Sequence, residues 1–273
     1  MDVLSEFFDQ IHLSGRLFFG GKVIGTLELD KPPGTAFIHI LDQGGIDLIR
    51  PGCTTIPVHE PSLLLCPTTC QYKLRSRSLS GSNIICASFD FGVHMGQTFP
   101  LGITETIIFP FSEIKKGMPA ISALIEEFNG DEIGRFKALN TLFEYILVLL
   151  VRMAVSKQQI TKGVLYAMLD THLGAALRAI HEHPEENWKL EQLADIVYMS
   201  RTKFATYFLK TVGISPIGYL TAWRIKVAKD MLLEGIQLKV IASSTGYSSQ
   251  AAFTRAFARE IGIPPAEWAG LNK

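Results

Sequence analysis

The sequence predicts an α+β chain with a β-rich first part, a helical middle and an all-helical end in which one small unit is used twice. Three observations carry this. Turn residues recur at sheet spacing between Arg16 and Phe91, and apolar residues recur at three and four spacing from Met118 onward. Finally, "GYSSQAAFTRAFAREIGIPPAEW" (246–268) repeats "YMSRTKFATYFLKTVGISPIGYL" (198–220), so that Phe253 falls over Phe204, Phe257 over Phe208, Gly262 over Gly213 and Pro265 over Pro216.

A chain of 273 residues, 47% of them hydrophobic, can bury two cores. Its net charge is zero, but the charge is uneven. Residues 1–169 hold 14 Lys and Arg against 16 Asp and Glu, whereas 189–259 hold ten against four, so the basic excess sits on the repeat. No basic run followed by an apolar core opens the sequence. The longest apolar run, "YILVLLV" (145–151), is short of the roughly 20 residues that span a bilayer. A cytoplasmic protein without membrane contact is expected. Cys53, Cys66, Cys70 and Cys86 then read as thiols, not as a disulfide framework.

Along the β-rich part, "TAFIHIL", "IDLIRPG", "SLLLCP", "QYKLRS" and "NIICASFDF" each make a strand, separated by "DQGG", "CPTTC" and "LSGS". Short strands without intervening helices predict a closed or sandwiched β architecture. "MPAISALIEEFNG" and "RFKALNTLFEYILVLLVRMAVSKQQ" follow as helices. The second carries Leu139, Leu142, Phe143, Ile146, Leu147 and Leu150 on one broad face. That face needs a partner, from this chain or from a second copy in a homodimer.

In the last hundred residues, His183-Pro184 stops one helix and Asn187 is positioned to cap "KLEQLADIV". Ser200 caps "RTKFATYFLKTVG", which ends at Gly213. The second copy has "LKVIASSTG", a turn at Gly246, a cap at Ser248 or Ser249, "QAAFTRAFARE" and a stop at Gly262. Each copy has the form of a helix-turn-helix, whose second helix enters the DNA major groove. Phe253 and Phe257 must face inward, leaving Gln250, Ala251, Thr254 and Arg255 outward. Gln and Arg match adenine and guanine edges. In the first copy Phe204 and Phe208 leave Arg201, Thr202, Ala205 and Thr206 outward, a set that reads bases less sharply and leans on Arg201, Lys203 and Lys210 for phosphates. "IGYLTAWRIKVAKDMLLEG" joins the copies as one helix of ~24 Å, with Arg224, Lys226 and Lys229 giving it a mostly basic side.

From about Leu173 to Trp268 these residues resemble the DNA-binding domain of the AraC/XylS transcription regulators, in the second-copy phrase above and in "WRIKVAKDMLLEG". The outward residues are then that family's DNA-contacting positions. "FIHIL", "SLLLCPTTCQYKL" and "ICASFDFG" are similar to the cupin-type sensor domain of one branch of the family. The resemblance implies a cupin-like β-barrel sensor in 1–110, a helical dimerisation and linker region in 111–170, and a double helix-turn-helix domain in 171–273. It implies a one-component regulator that binds double-stranded promoter DNA under control of a small-molecule or oxidant effector, with room for a contact to RNA polymerase.

Sensing residues are expected at His39, Cys66, Cys70 and Tyr72. His39 in its apolar strand also reads as a core histidine bonded to a neighbouring strand. Cys66 and Cys70, flanking "PTT", are placed to approach disulfide distance, with Lys73, Arg75 and Arg77 nearby to favour a thiolate. The rival class is an enzyme with DNA binding attached. One form is a metal-dependent cupin; the other is a methyl-accepting protein holding a metal on Cys53, Cys66, Cys70 and Cys86. The β-rich part has no His-x-His pair, and Pro61-Ser62 and Tyr72 replace the family's usual Gly-Asp and His. No metal, cofactor or catalytic residue is expected.

Overall fold

The structure, a computed structural model, describes residues 2–10, 14–29, 35–67, 71–90 and 101–272. Its elements are α1 (Val3–Gln10), β1 (Ser14–Val23), β2 (Thr26–Glu28), β3 (Thr35–Gln43), β4 (Ile46–Ile49), β5 (Ile56–Val58), β6 (Ser62–Cys66), β7 (Lys73–Ser76), β8 (Ser82–Asp90) and β9 (Ile107–Pro110). The helices α2 (Met118–Asn129), α3 (Arg135–Ser156), α4 (Val164–Leu169), α5 (Leu173–Glu182), α6 (Leu190–Ile196), α7 (Arg201–Val212), α8 (Pro216–Leu233), α9 (Leu238–Ser244), α10 (Gln250–Ile261) and α11 (Pro265–Asn272) follow. Contacts divide the chain into two units. One comprises Phe8–Phe91 and Ile103–Thr161; the other is built chiefly on Lys162–Lys273.

The first unit holds two antiparallel sheets, ordered β1-β8-β3-β6-β9 and β2-β7-β4-β5. Between them lies a core that includes Phe37, Leu41, Leu48, Leu64, Cys66, Tyr72, Leu74 and Cys86. The opposite face of the larger sheet is buried too, at Ile38, Ile40, Leu63, Leu65, Ile85 and Phe89. Burial on both faces is why "FIHIL" and "SLLLC" run apolar without alternating.

The apolar face of α3 finds its partner within the chain. Leu139, Phe143, Ile146, Leu147 and Leu150 are all at most 1% exposed, Phe143 meets the Phe89 ring at 6.5 Å, and α3 packs along β1 and α2. Of the two partners the sequence allowed for this face, the chain itself is the one that covers it, not a second copy. The polar groups of α3 help as well: the backbone N–H of Leu17 donates to Asn140 Oδ1 at 3.0 Å and that of Gly15 to Glu144 Oε1 at 3.2 Å, beside the bulge between Leu17 and Phe19. Helix and sheet approach so closely that a Cβ at Gly20 would lie 2.2 Å from the Phe128 ring. By length and composition Arg135–Ser156 is apolar enough to cross a membrane. Its buried stripe identifies it as the core helix of this unit.

In the second unit the local signals fall where the sequence placed them, with one correction and one choice between alternatives. Helix α6 begins after Lys189, whose backbone N–H is taken by Gln192 Oε1 at 2.8 Å, so Asn187 is not its cap. Of the two serines offered for α10, Ser249 is the cap. Gly213 and Gly262 close α7 and α10 at φ +93° each, a conformation that favours glycine.

Candidate nucleic-acid interface

Helices α7 and α10 are positioned by the same means. Each starts on a serine: the Lys203 N–H donates to Ser200 Oγ at 3.4 Å, and the Ala252 N–H to Ser249 Oγ at 3.1 Å. Each then buries a phenylalanine pair at i and i+4, Phe204 with Phe208 (5.6 Å between rings) and Phe253 with Phe257 (5.7 Å). Phe208 continues onto Tyr219 of α8, and Phe257 onto Trp268 of α11. Those anchors fix the rotation of each helix.

The opposite faces are open. Gln250, Ala251 and Arg255 are exposed and Thr254 half-buried on α10. On α7, Arg201, Thr202, Lys203, Thr206 and Lys210 are exposed and Ala205 half-buried. The predicted set thus divides into two surfaces on two helices of one compact unit. The surfaces differ in charge. Arg201 is paired with Glu191 of α6 at 3.1 Å, whereas among the described residues Arg255 has no ion-pair partner.

The basic side predicted for α8 is engaged within the unit. Lys226 pairs with Asp230 at 2.7 Å and lies over Trp223, Lys229 lies over Trp268, and Arg224 donates to backbone carbonyls of the α5–α6 loop. A helix buried on several sides spends its cations on its own neighbours, so this side is not a free basic stripe.

Two contacts that no local sequence signal announces hold the first copy. Tyr207 of α7 donates to Asp170 Oδ2 at 2.5 Å, while Asp170 Oδ1 accepts the N–H groups of His172 and Leu173 at 2.9 Å each. Burial works to raise the Asp170 carboxyl, yet the bonds from Tyr207 and from that backbone hold it below its ordinary value; the same bond pushes Tyr207 up to about 12. Beneath α7, His181 stacks on Trp223 at 3.9 Å and shares a 2.6 Å hydrogen bond with the Tyr219 hydroxyl. Burial, with the Lys226 charge behind it, brings His181 down to about 3.

The expected sensing residues are only partly assembled. His39 is fully buried and its Nε2 lies 2.6 Å from the Tyr72 hydroxyl, which reaches it from beside β7 in the opposite sheet. It is thus a core histidine whose partner comes from across the sandwich. Cys66 accepts a hydrogen bond from Thr106 at 3.6 Å within the same core, and Cys70 lies outside the described residues. The sequence offered Cys66 a second cysteine four positions on; the fold places Cys86 in the same core but across β3 from it, with a thiol raised by burial and by Cys66. Lys73, Arg75 and Arg77 do not serve Cys66. They alternate with the inward Leu74 and are tied on the outer face, Lys73 to Glu28 at 2.5 Å, Arg75 to Asp47 at 2.8 Å and Arg77 to the same carboxylate. Among the described residues no group of three or more His, Cys, Asp or Glu is placed to hold a metal ion. A cleft of about 340 Å³ opens away from these residues, between the larger sheet and α2, lined by residues including Asp42, Asn83 and Phe128.

Comparison with known proteins fits this division. A helix-turn-helix domain family matches residues 193–270, and a cupin family matches residues 2–156. The chain is 28% identical to the HTH-type transcriptional regulator AlkR of Acinetobacter baylyi, over 97% of this chain and 98% of that one. It is 28% identical to the RCS-specific HTH-type transcriptional activator RclR of Escherichia coli, over 84% and 82% of the two chains. A putative AraC-like transcription regulator of Streptomyces antibioticus is 30% identical over 98% of this chain and 96% of its own. With a cupin domain first, two capped helix-turn-helix units last and an end-to-end match to such a regulator, this chain belongs to the AraC-like transcription regulators.

Proposed function

We propose that the chain binds promoter DNA by placing α7 and α10 in two major-groove segments, under control of an effector sensed in the N-terminal unit. The observation that carries this reading is the pairing of two phenylalanine-anchored helices whose outward faces bear Arg201, Lys203 and Lys210 on one and Gln250 and Arg255 on the other. Arg255 and Gln250 read bases, with Ala251 and Thr254 shaping the contact; Thr202, Ala205 and Thr206 make a blander surface, held by phosphate contacts around them. Sensing belongs to 1–110, linkage to 111–170 and DNA binding to 171–273. The chain acts in the cytoplasm as a homodimer, meets RNA polymerase at the promoter and carries out no catalytic step. Homodimerisation rests on the family reading, since the chain's own fold covers the Leu139–Leu150 face.

The test compares two substitutions on duplexes selected by the wild-type protein. Arg255→Ala costs about 1–3 kcal/mol on the selected site and relaxes one base pair, whereas Lys210→Ala weakens all sequences alike and flattens the salt dependence. Equal, sequence-blind losses overturn the assignment.

For the effector, the first reading is an organic ligand meeting His39 and Tyr72. The second is an oxidant, favoured by two thiols, Cys66 and Cys86, sharing one core, and by the RCS-specific activator RclR being among the relatives. Hypochlorite altering promoter binding in wild type but not in Cys66→Ala selects the oxidant. An unchanged response in the variant selects the ligand.

A further inference from the structure

Arg224 sits in the middle of α8, and its guanidinium joins three segments. Nε donates to the Pro184 carbonyl at 2.7 Å, and a terminal nitrogen donates to the Glu186 carbonyl at 2.8 Å, so the fork grips the loop that leads into the first helix-turn-helix. Its central carbon lies 5.7 Å from the centre of the Tyr247 ring, in the turn of the second helix-turn-helix. The turn is fitted to this arrangement. A Cβ at Gly246 would stand 2.4 Å from the same terminal nitrogen and 2.6 Å from the Glu185 carbonyl, and Gly246 itself has φ +73°. Side chain, loop and turn therefore meet without space between them.

Each copy also has its own hold on α8. The first is attached through His181, Tyr219 and Trp223, the second through the core of Ile225, Ala228, Leu232, Ile241, Phe253 and Phe257. Arg224 is different because it touches the loop leading into the first copy and the turn of the second at once. We propose that Arg224 is a positioning residue that sets the angle between α7 and α10, and so decides which separation of two major-groove segments the chain accepts. This rests on the DNA-binding reading above. Arginine suits the task because its planar fork satisfies two carbonyls and stacks on a ring in one geometry; lysine offers a single charge on a flexible stem.

The test uses the full chain and duplexes selected from a random pool by the wild-type protein. Three sets are compared: the selected bipartite site, the same site with two base pairs inserted between its halves, and the half read by the second copy alone. Arg224→Ala and Arg224→Lys should weaken binding to the bipartite site roughly tenfold, the scale of one charged hydrogen bond. They should leave the isolated half within about twofold of wild type, and lessen the penalty of the insertion. If Arg224→Ala does not fold, Arg224→Lys, which keeps the charge and most of the stem, decides the matter. A wild-type insertion penalty in the folded variant, or an equal loss on the half-site, overturns the proposal. Failure of the wild-type chain to select any duplex overturns the DNA-binding reading and the proposal with it.

Discussion

The two helix-turn-helix copies share a cap, a phenylalanine pair and a terminal glycine, yet they differ in what surrounds those features. The first is fastened by polar bonds that reach far along the chain: Tyr207 to Asp170, His181 to Tyr219 and Arg201 to Glu191. The second is fastened by an aromatic cluster of Tyr247, Phe253, Phe257 and Trp268, and its outward Arg255 is left uncommitted among the described residues. Repetition of a pattern therefore fixes the frame of a unit without fixing its role. The copy with the tied arginine suits positioning, and the copy with the free one suits reading.

The strongest way to break this comparison is through the cores. Phe257→Ala or Phe208→Ala should each cost about 3–5 kcal/mol, measured by denaturant unfolding of the full chain. If the copies are fastened as described, Phe257→Ala abolishes selective binding while leaving the Tyr207–Asp170 side folded, as hydrogen exchange in α7 would report.

Acid should separate the copies next. His181 is held neutral in the fold, about 3 against an ordinary 6.5, so its contribution to stability is complete above pH 6.5 and is lost as pH falls towards 3. Between pH 6.5 and 5 the loss is up to about 2 kcal/mol. Thermal unfolding should show it in wild type and much less in His181→Gln, with first-copy amides deprotected before those of α10. The second copy's aromatic cluster has no group that titrates in this window.

The caps give a finer comparison. Ser249→Ala should cost ~1 kcal/mol, and Ser200→Ala less, because the first cap bond is the longer, 3.4 Å against 3.1 Å. Melting temperatures of the two variants test the order. The smallest effect is at Glu191. Its pair with Arg201 is exposed, so Glu191→Gln should change stability by no more than ~0.5 kcal/mol. It should steepen the salt dependence of DNA binding by about one phosphate contact, as fluorescence titration over a range of salt would show.

Much of this was legible in the sequence because it depends on neighbours three or four residues apart. Serine caps, stop glycines and the Phe204/Phe208 and Phe253/Phe257 pairs are local, and they fix which side of α7 and α10 faces solvent. Strands with both faces buried were legible as apolar runs, although β1, β2, β5 and β9 lacked a comparable signal. Arg201, Arg224, Lys226 and Lys229 read alike as surface cations in the sequence. Glu191, the carbonyls of Pro184 and Glu186, Asp230 and Trp268 gave each its separate task.

The sequence by itself determined the repeat, the faces and the family, since these follow from periodicity and from capping chemistry within single helices. Only the tertiary structure decided that the chain's own fold covers the apolar face of α3, that His39 meets Tyr72 from the opposite sheet, and that Arg224 joins the loop before the first copy to the turn of the second. Such contacts join residues tens of positions apart, and the energy of each depends on a distance and an orientation that no local spacing encodes.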